Sequence, residues 1–78
     1  MTVSAKLQIY QGIILYLLES THYNLKNIAE FTDSPITHIQ ALYRGEKLSL
    51  HCSSEHKLMQ MYQIVLGIQN KRYAHQEY

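Results

Sequence analysis

Three side chains that could do chemistry together, His51, Cys52 and His56, lie close to one another in the sequence. Imidazole nitrogens and a thiolate bind zinc, and a cysteine beside a histidine is also the pairing that activates a sulfur nucleophile. A structural zinc site needs four ligands, usually in two closely spaced pairs, and no second pair is present. No orienting acid, oxyanion loop or glycine-rich phosphate loop is identifiable. We therefore expect no metal, no cofactor and no enzymatic activity, and we interpret Cys52 as a half-buried loop residue.

Hydrophobic periodicity predicts four helices joined by short polar connections. The expected fold is therefore all-α, a small four- to five-helix bundle. The helices are predicted over residues 4–19, 25–32, 35–44 and 54–70. They form one domain, 1–70, followed by a polar C-terminal tail, 71–78, which we expect to fray.

Capping residues and apolar stripes define these helices. The expected caps are Asn24, Ser34 with Pro35 in the first turn after it, Gly45 in a left-handed conformation, and Ser53 or Ser54. The predicted core stripe of the first helix is Leu7, Tyr10, Ile14, Leu17 and Leu18, and that of the fourth is Leu58, Met61, Tyr62, Val65 and Leu66. Gly12 lies within the first helix, so either a neighbouring helix approaches closely there or the helix is weakened.

The second and third helices have the spacing of a helix-turn-helix, in which two short helices are separated by a turn of three or four residues. Ile28, Ile39 and Leu42 would form the apolar wedge between them. Ala29 lies where the helices cross, because a small side chain lets the backbones approach. The other face of the third helix then remains free.

The 18 residues from Ile28 to Gly45 resemble the helix-turn-helix of phage-repressor and Cro-like regulators, whose pattern is roughly I-A-x-x-L-G-V-S-x-x-x-I-x-x-I-x-x-G. The match has no gap, and with the following loop and helix it extends over about 60 residues. The differences lie at the turn, where Asp33 replaces the usual glycine; aspartate tolerates a left-handed conformation. The resemblance implies a transcriptional regulator that binds double-stranded DNA as a two-fold dimer.

The resemblance also implies which residues touch DNA. The base-contact candidates are Thr37, Gln40, Ala41 and Arg44. A glutamine side chain can bridge two atoms at the edge of adenine, and an arginine side chain can do the same at guanine. Alanine and the threonine methyl group can contact a thymine methyl. The phosphate-contact candidates are Lys26, Asn27 and Lys47. The alternative is that Gln40 and Arg44 are ordinary solvated surface. Ile36 either reads a thymine methyl or packs inward onto Phe31 or the fourth helix.

The fourth helix has more apolar residues than one buried face requires. The surplus, and hence the candidate homodimer interface, is Met59, Ile64 and Ile68. Tyr10, Tyr16, Tyr62 and Tyr73 are further candidates, because tyrosine is enriched at interfaces. The alternative is that Met59 and Ile64 fold under the loop 46–52, where we expect Leu48 and Leu50 to point inward.

Composition limits the function classes. A chain of 78 residues with 46% apolar residues and a single cysteine is one globular domain without internal disulfides. No apolar stretch approaches the ~20 residues that span a membrane, and we expect a cytoplasmic protein. The net charge of +1 is far below that of many nucleic-acid binders. It keeps open a second hypothesis, an adaptor or antirepressor-like module that has the same fold and a protein partner but no DNA binding.

Overall fold

The computed structural model describes the backbone of residues 5–76 and the side chains of residues 5–68. Its helices are α1 (Ala5–Ser20), α2 (Leu25–Thr32), α3 (Ile36–Tyr43) and α4 (Cys52–Gln76). No strand occurs in this part of the chain, so the predicted all-α fold and small bundle are confirmed. Across the described residues, no helix combines the length and the apolar character needed to cross a membrane.

One hydrophobic core joins the four helices. Ile28 and Ala29 from α2 and Ile39 and Leu42 from α3 are buried together, as their helical spacing predicted. The remaining buried apolar residues are Leu7, Ile13, Ile14, Leu17, Leu58, Met61 and Val65. Burying one such aliphatic side chain contributes about 1.5–3 kcal/mol, so the core is the main source of stability.

The predicted stripe of α1 differs from the buried one. Ile13 is buried although it was outside the predicted stripe, whereas Tyr10 and Leu18 are only partly buried at the edge of the core. The reason is that α3 and α4 both pack on α1, which turns a broader arc of the helix inward. Leu48 and Leu50 from the loop also pack against the core, as expected.

Two polar or aromatic contacts join α1 to α4. The Lys6 Nζ lies 2.9 Å from Glu55 Oε1, and the hydrogen bond and negative charge of Glu55 raise the pKa of Lys6 above its ordinary value. The rings of Tyr16 and Tyr62 meet edge to face, with centroids 5.4 Å apart. Edge-to-face packing places the positive ring edge against the negative ring face, which is the favourable arrangement. Both contacts fix how α4 lies along α1.

Helix α2 has a defined cap at each end. At its start the Asn24 Oδ1 accepts from the Asn27 N–H (2.8 Å), and the Asn27 Oδ1 accepts from the Asn24 N–H (3.0 Å). This reciprocal pair satisfies two otherwise free donors and confirms Asn24 as the N-cap. At its end Asp33 takes a left-handed conformation (φ 57°), and the Ser34 N–H donates to the Ala29 carbonyl at 2.9 Å.

The start of α3 differs from the prediction. Pro35, not Ser34, precedes the first helical residue, and no side chain caps the helix. Ser34 is engaged elsewhere: its N–H closes α2, and its hydroxyl lies 3.1 Å from Thr32 Oγ1. Gly45 ends α3 with φ 74°, as predicted, and the Glu46 N–H donates to the Ala41 carbonyl at 2.9 Å.

Helix α4 is longer than predicted at both ends. It begins at Cys52, so Cys52 is an exposed helical residue rather than a half-buried loop residue, and neither Ser53 nor Ser54 caps it. The Glu55 N–H donates to the His51 carbonyl at 2.9 Å, which extends the helical bonding to that point. The backbone remains helical to Gln76 because no proline or glycine follows Gly67. The side chains of the predicted tail and of Tyr73 lie outside the described residues.

Candidate nucleic-acid interface

The segment α2–turn–α3 is held in place by packing on both sides. The three residues 33–35 join the two helices, and both helices contribute to the core. At the far end of α3, the Gln11 Nε2 from α1 donates to the Tyr43 carbonyl at 3.1 Å. The last carbonyls of a helix have no partner within it, so this bond satisfies a group that would otherwise rely on water. Helix α3 is therefore anchored at its end as well as through its buried face.

The outward face of α3 keeps the four predicted base-contact residues together. Thr37 and Arg44 are exposed, and Gln40 and Ala41 are half-buried. Residues three, four and seven positions apart share one face of a helix, so the four side chains project from the same side. Arg44 follows the last helical residue but has helical backbone angles (φ −78°, ψ −5°), which extends this face by one position.

Arg44 is already paired. Its Nε lies 3.1 Å from the Glu46 Oε2, and the two side chains are 54% and 59% exposed. The left-handed Gly45 reverses the chain between them, which brings residues only two apart into contact. The sequence prediction did not include this pair, because it assigned Arg44 to a free helical face. The Glu46 carboxylate therefore offsets the positive charge of Arg44 and occupies its Nε.

The three residues predicted to contact phosphates differ in whether their side chains already have a role within the fold. Lys26 and Lys47 are exposed. Asn27 is also exposed, but its Oδ1 accepts the Asn24 N–H in the cap of α2. That cap is a structural role that explains Asn27 without DNA. The two lysines are therefore the better candidates.

The charges along this segment cancel. Residues 25–47 contain three basic and three acidic side chains, all exposed: Lys26, Arg44, Lys47, Glu30, Asp33 and Glu46. Two of the acidic residues, Glu30 and Asp33, line a shallow groove along α2 and the turn together with Lys26 and Ile36. Ile36 is exposed there and does not belong to the buried core, so the expected inward packing is not seen. The segment 25–47 therefore has no net formal charge.

A second exposed surface lies on the outer side of α2 and α4. Phe31, Gln60, Gln63 and Ile64 line an open groove there, and Ile68 is exposed one turn beyond Ile64. Among the predicted interface residues, Ile64 and Ile68 are thus accessible, whereas Met59 is partly buried against the core. Phe31 was not predicted as part of this surface, because its helix was assigned to the helix-turn-helix alone.

The histidines near Cys52 form no cluster. Cys52, His51 and His56 are all exposed. Within the described residues, no three histidine, cysteine or acidic side chains come close enough together to hold a metal ion.

Comparison with protein-family models, with curated proteins and with solved structures finds no match for this chain.

Proposed function

We propose that this chain is a small transcriptional regulator of the Cro-like helix-turn-helix class, which acts in the cytoplasm and reads operator DNA as a homodimer through α3. The observation that carries the proposal is the segment α2–turn–α3: two eight-residue helices joined by three residues, packed through Ile28, Ile39 and Leu42. This arrangement leaves one polar face of α3 accessible. A helix of that kind fits the major groove, where each base pair presents a distinct pattern of donors and acceptors.

The proposed mechanism divides the polar residues by role. Gln40 would bridge the N6 and N7 atoms of adenine, and Arg44 would bridge O6 and N7 of guanine. Thr37 and Ala41 would contact thymine methyl groups. Lys26 and Lys47, and Asn27 to a lesser degree, would contact phosphates. Phosphate contacts set the position of the protein on the duplex, and base contacts select the sequence.

The neutral charge of residues 25–47 has a consequence for this mechanism. Affinity for any duplex comes mainly from basic groups that displace counterions from phosphates, and here three acidic residues oppose them. We expect weak non-specific binding by one subunit. Operator binding would then depend on two recognition helices held at the spacing of one helical turn of DNA.

A second candidate is a protein-interaction module with the same fold and no DNA binding. The observation that favours it is the same charge balance, in particular the exposed Glu30 and Asp33 beside Lys26. These two carboxylates lie near the path that phosphates would follow and would repel them. The two candidates therefore predict opposite results with duplex DNA.

The deciding experiment is selection of bound sequences from a random duplex pool at fixed low salt, followed by titration of variants. Arg44→Ala should weaken preference for the selected site by about 1–3 kcal/mol and leave much of the non-specific binding. Lys26→Ala should weaken all duplexes alike and reduce the salt slope by about one. Lys57→Ala on α4, which makes the same charge change away from the segment, is the matched control. If no sequence is enriched and neither Arg44→Ala nor Lys26→Ala changes duplex binding, the DNA proposal fails and the interaction module replaces it.

A further inference from the structure

The groove along α2 and the following turn is lined by apolar and charged side chains together, unlike the uncharged groove at Phe31 and Ile64. We call it the α2–turn groove, and its volume is about 660 Å³. Ligand pockets commonly have volumes of about 300–1,000 Å³, so this groove is large enough for several side chains of a partner. The residues that define it are Lys26, Ala29, Glu30, Asp33, Pro35 and Ile36.

The charged residues of the α2–turn groove form one row along α2. Lys26 is followed by Glu30 four positions later and by Asp33 after three more, a spacing that keeps side chains on one side of a helix. The row therefore begins with a positive charge and ends with two negative charges, all of them exposed. Within the part of the chain whose side chains are described, neither carboxylate forms a hydrogen bond or an ion pair. Both carboxylates are thus available to a cationic group of a partner.

The apolar part of the α2–turn groove comes from Ala29, Pro35 and Ile36. Ala29 is only 4% exposed and lies deep in the groove, whereas Ile36, at the start of α3, is 37% exposed. The turn between them is held in place, because the Ser34 N–H donates to the Ala29 carbonyl at 2.9 Å. A surface that is already formed loses little conformational freedom when a partner binds.

We propose that the α2–turn groove binds a protein segment that places an arginine next to an apolar side chain. The planar guanidinium has five N–H donors and pairs well with carboxylates, here those of Glu30 and Asp33. The methylene stem of an arginine covers apolar surface while its charged end stays at the rim, which suits the position of Ala29 below the two carboxylates. The neighbouring apolar side chain would cover Ile36. Lys26 repels a cation at the opposite end of the row, so the charges also set the direction of the bound segment.

This site rests on the second candidate function, the interaction module, and gives that module a partner of defined chemistry. It does not depend on DNA binding. A nucleic acid does not fit the acidic end of the groove, because Glu30 and Asp33 would repel its phosphates. A lysine fits less well than an arginine, because a single ammonium group lacks the planar fork that can pair with carboxylates in parallel.

The test begins with selection from a library of short random peptides displayed on phage. The wild-type protein is the target, and a double variant, Glu30→Gln with Asp33→Asn, removes the peptides that bind elsewhere. Asparagine tolerates the left-handed conformation as aspartate does, so the turn should stay intact. We expect the enriched peptides to carry an arginine next to an apolar residue. In an NMR titration such a peptide should shift the amide signals of residues 29–36 and leave those around Ile64 unchanged.

Matched variants measure what each group contributes to the affinity for an enriched peptide. Glu30→Gln should weaken binding by up to about fivefold, the contribution of an exposed ion pair, and the double variant by on the order of tenfold. Glu19→Gln makes the same charge change at an exposed glutamate of α1 and should leave the affinity unchanged. Ile36→Ser should weaken binding by roughly fivefold, because less apolar surface is buried. Circular dichroism verifies that each variant is helical.

Several results would overturn the α2–turn groove as a binding site. They are the absence of any enriched peptide, enriched peptides without arginine, an arginine that lysine replaces without loss, and an affinity that Glu30→Gln and Glu19→Gln change equally. Enriched peptides that the groove variants weaken support the site even if no DNA sequence is enriched, in which case the DNA proposal alone fails. An enriched DNA sequence without any enriched peptide overturns the groove alone.

Discussion

Replacing Glu46 with glutamine should make this protein bind duplex DNA more tightly. The Glu46 Oε2 lies 3.1 Å from the Arg44 Nε, so its negative charge offsets the positive charge with which the arginine would attract a base or a phosphate. Glutamine has nearly the same shape as glutamate and no charge. The substitution therefore frees Arg44 and removes one of the three acidic groups of residues 25–47 without changing the packing.

The size of the effect follows from the geometry of the pair. Two unit charges 3.1 Å apart attract by about 1.3 kcal/mol in water. Both side chains are more than half exposed, and measured surface pairs contribute about 0–1 kcal/mol because of solvent and salt screening. Since about 1.4 kcal/mol is tenfold in affinity, Glu46→Gln should tighten duplex binding by up to about fivefold. Stability against urea should hardly change.

The assay is fluorescence anisotropy of a labelled duplex at several salt concentrations. Glu19→Gln is the matched control, because Glu19 is exposed on α1 and its loss makes the same change in net charge. The advantage of Glu46→Gln over Glu19→Gln should shrink as salt rises, since screening weakens the interactions of exposed charges. Equal affinities for the two variants at low salt would refute the reasoning, because Glu46 would then have no specific effect on Arg44.

Three further predictions concern stability and charge. Gly45→Ala should lower the free energy of unfolding in urea by about 1–2 kcal/mol, because φ is 74° there and the new Cβ would lie 2.8 Å from the Gln11 Nε2. Adding Gln11→Ala should remove the clash but also the hydrogen bond to the Tyr43 carbonyl, so it should recover less than the steric part. Asp33→Gly should raise the free energy of unfolding by about 0.5–1 kcal/mol, since glycine adopts the left-handed conformation without a Cβ clash, and Asp33→Val should lower it. The pKa of Lys6, measured by NMR titration, should exceed 10.5 and should fall in Glu55→Gln. The ion pair should therefore stabilise the fold below pH 10.5. This stabilisation should be lost as the pH rises through the raised pKa of the folded state.

The sequence was sufficient for the features that depend on local spacing. Ile28, Ala29, Ile39 and Leu42 are buried together because a 3.6-residue period allows only one inward face on a short helix. Asn24 and Gly45 were also predictable, because an amide at an N-cap and a glycine after the last turn satisfy backbone groups within a few residues. The grouping of the polar residues on the outward face of α3 follows from the same period.

Features that depend on neighbouring elements could not be predicted from periodicity. Ile13 is buried because two helices cover α1, and the period of α1 does not contain that information. Ser34 does not cap α3 because its hydroxyl accepts from the Thr32 Oγ1 and donates to the Thr32 carbonyl at the end of α2. In the candidate site, the Arg44–Glu46 pair forms only after Gly45 reverses the chain. A scan for pairs three or four residues apart therefore cannot find it.

For the proposed DNA reader, the charge balance of residues 25–47 and the pairing of two copies would together produce selectivity. A strongly basic domain binds every duplex, and its base contacts must compete with that background. A neutral segment has little background affinity, so discrimination would depend on the direct contacts of Gln40 and Arg44 and on joining two weak half-site contacts. Joining them makes the second contact intramolecular, which raises the effective concentration without any new contact to DNA. In the proposed regulator, the acidic residues near α3 would therefore keep the binding of a monomer weak, and a dimer would bind where two half-sites match its spacing.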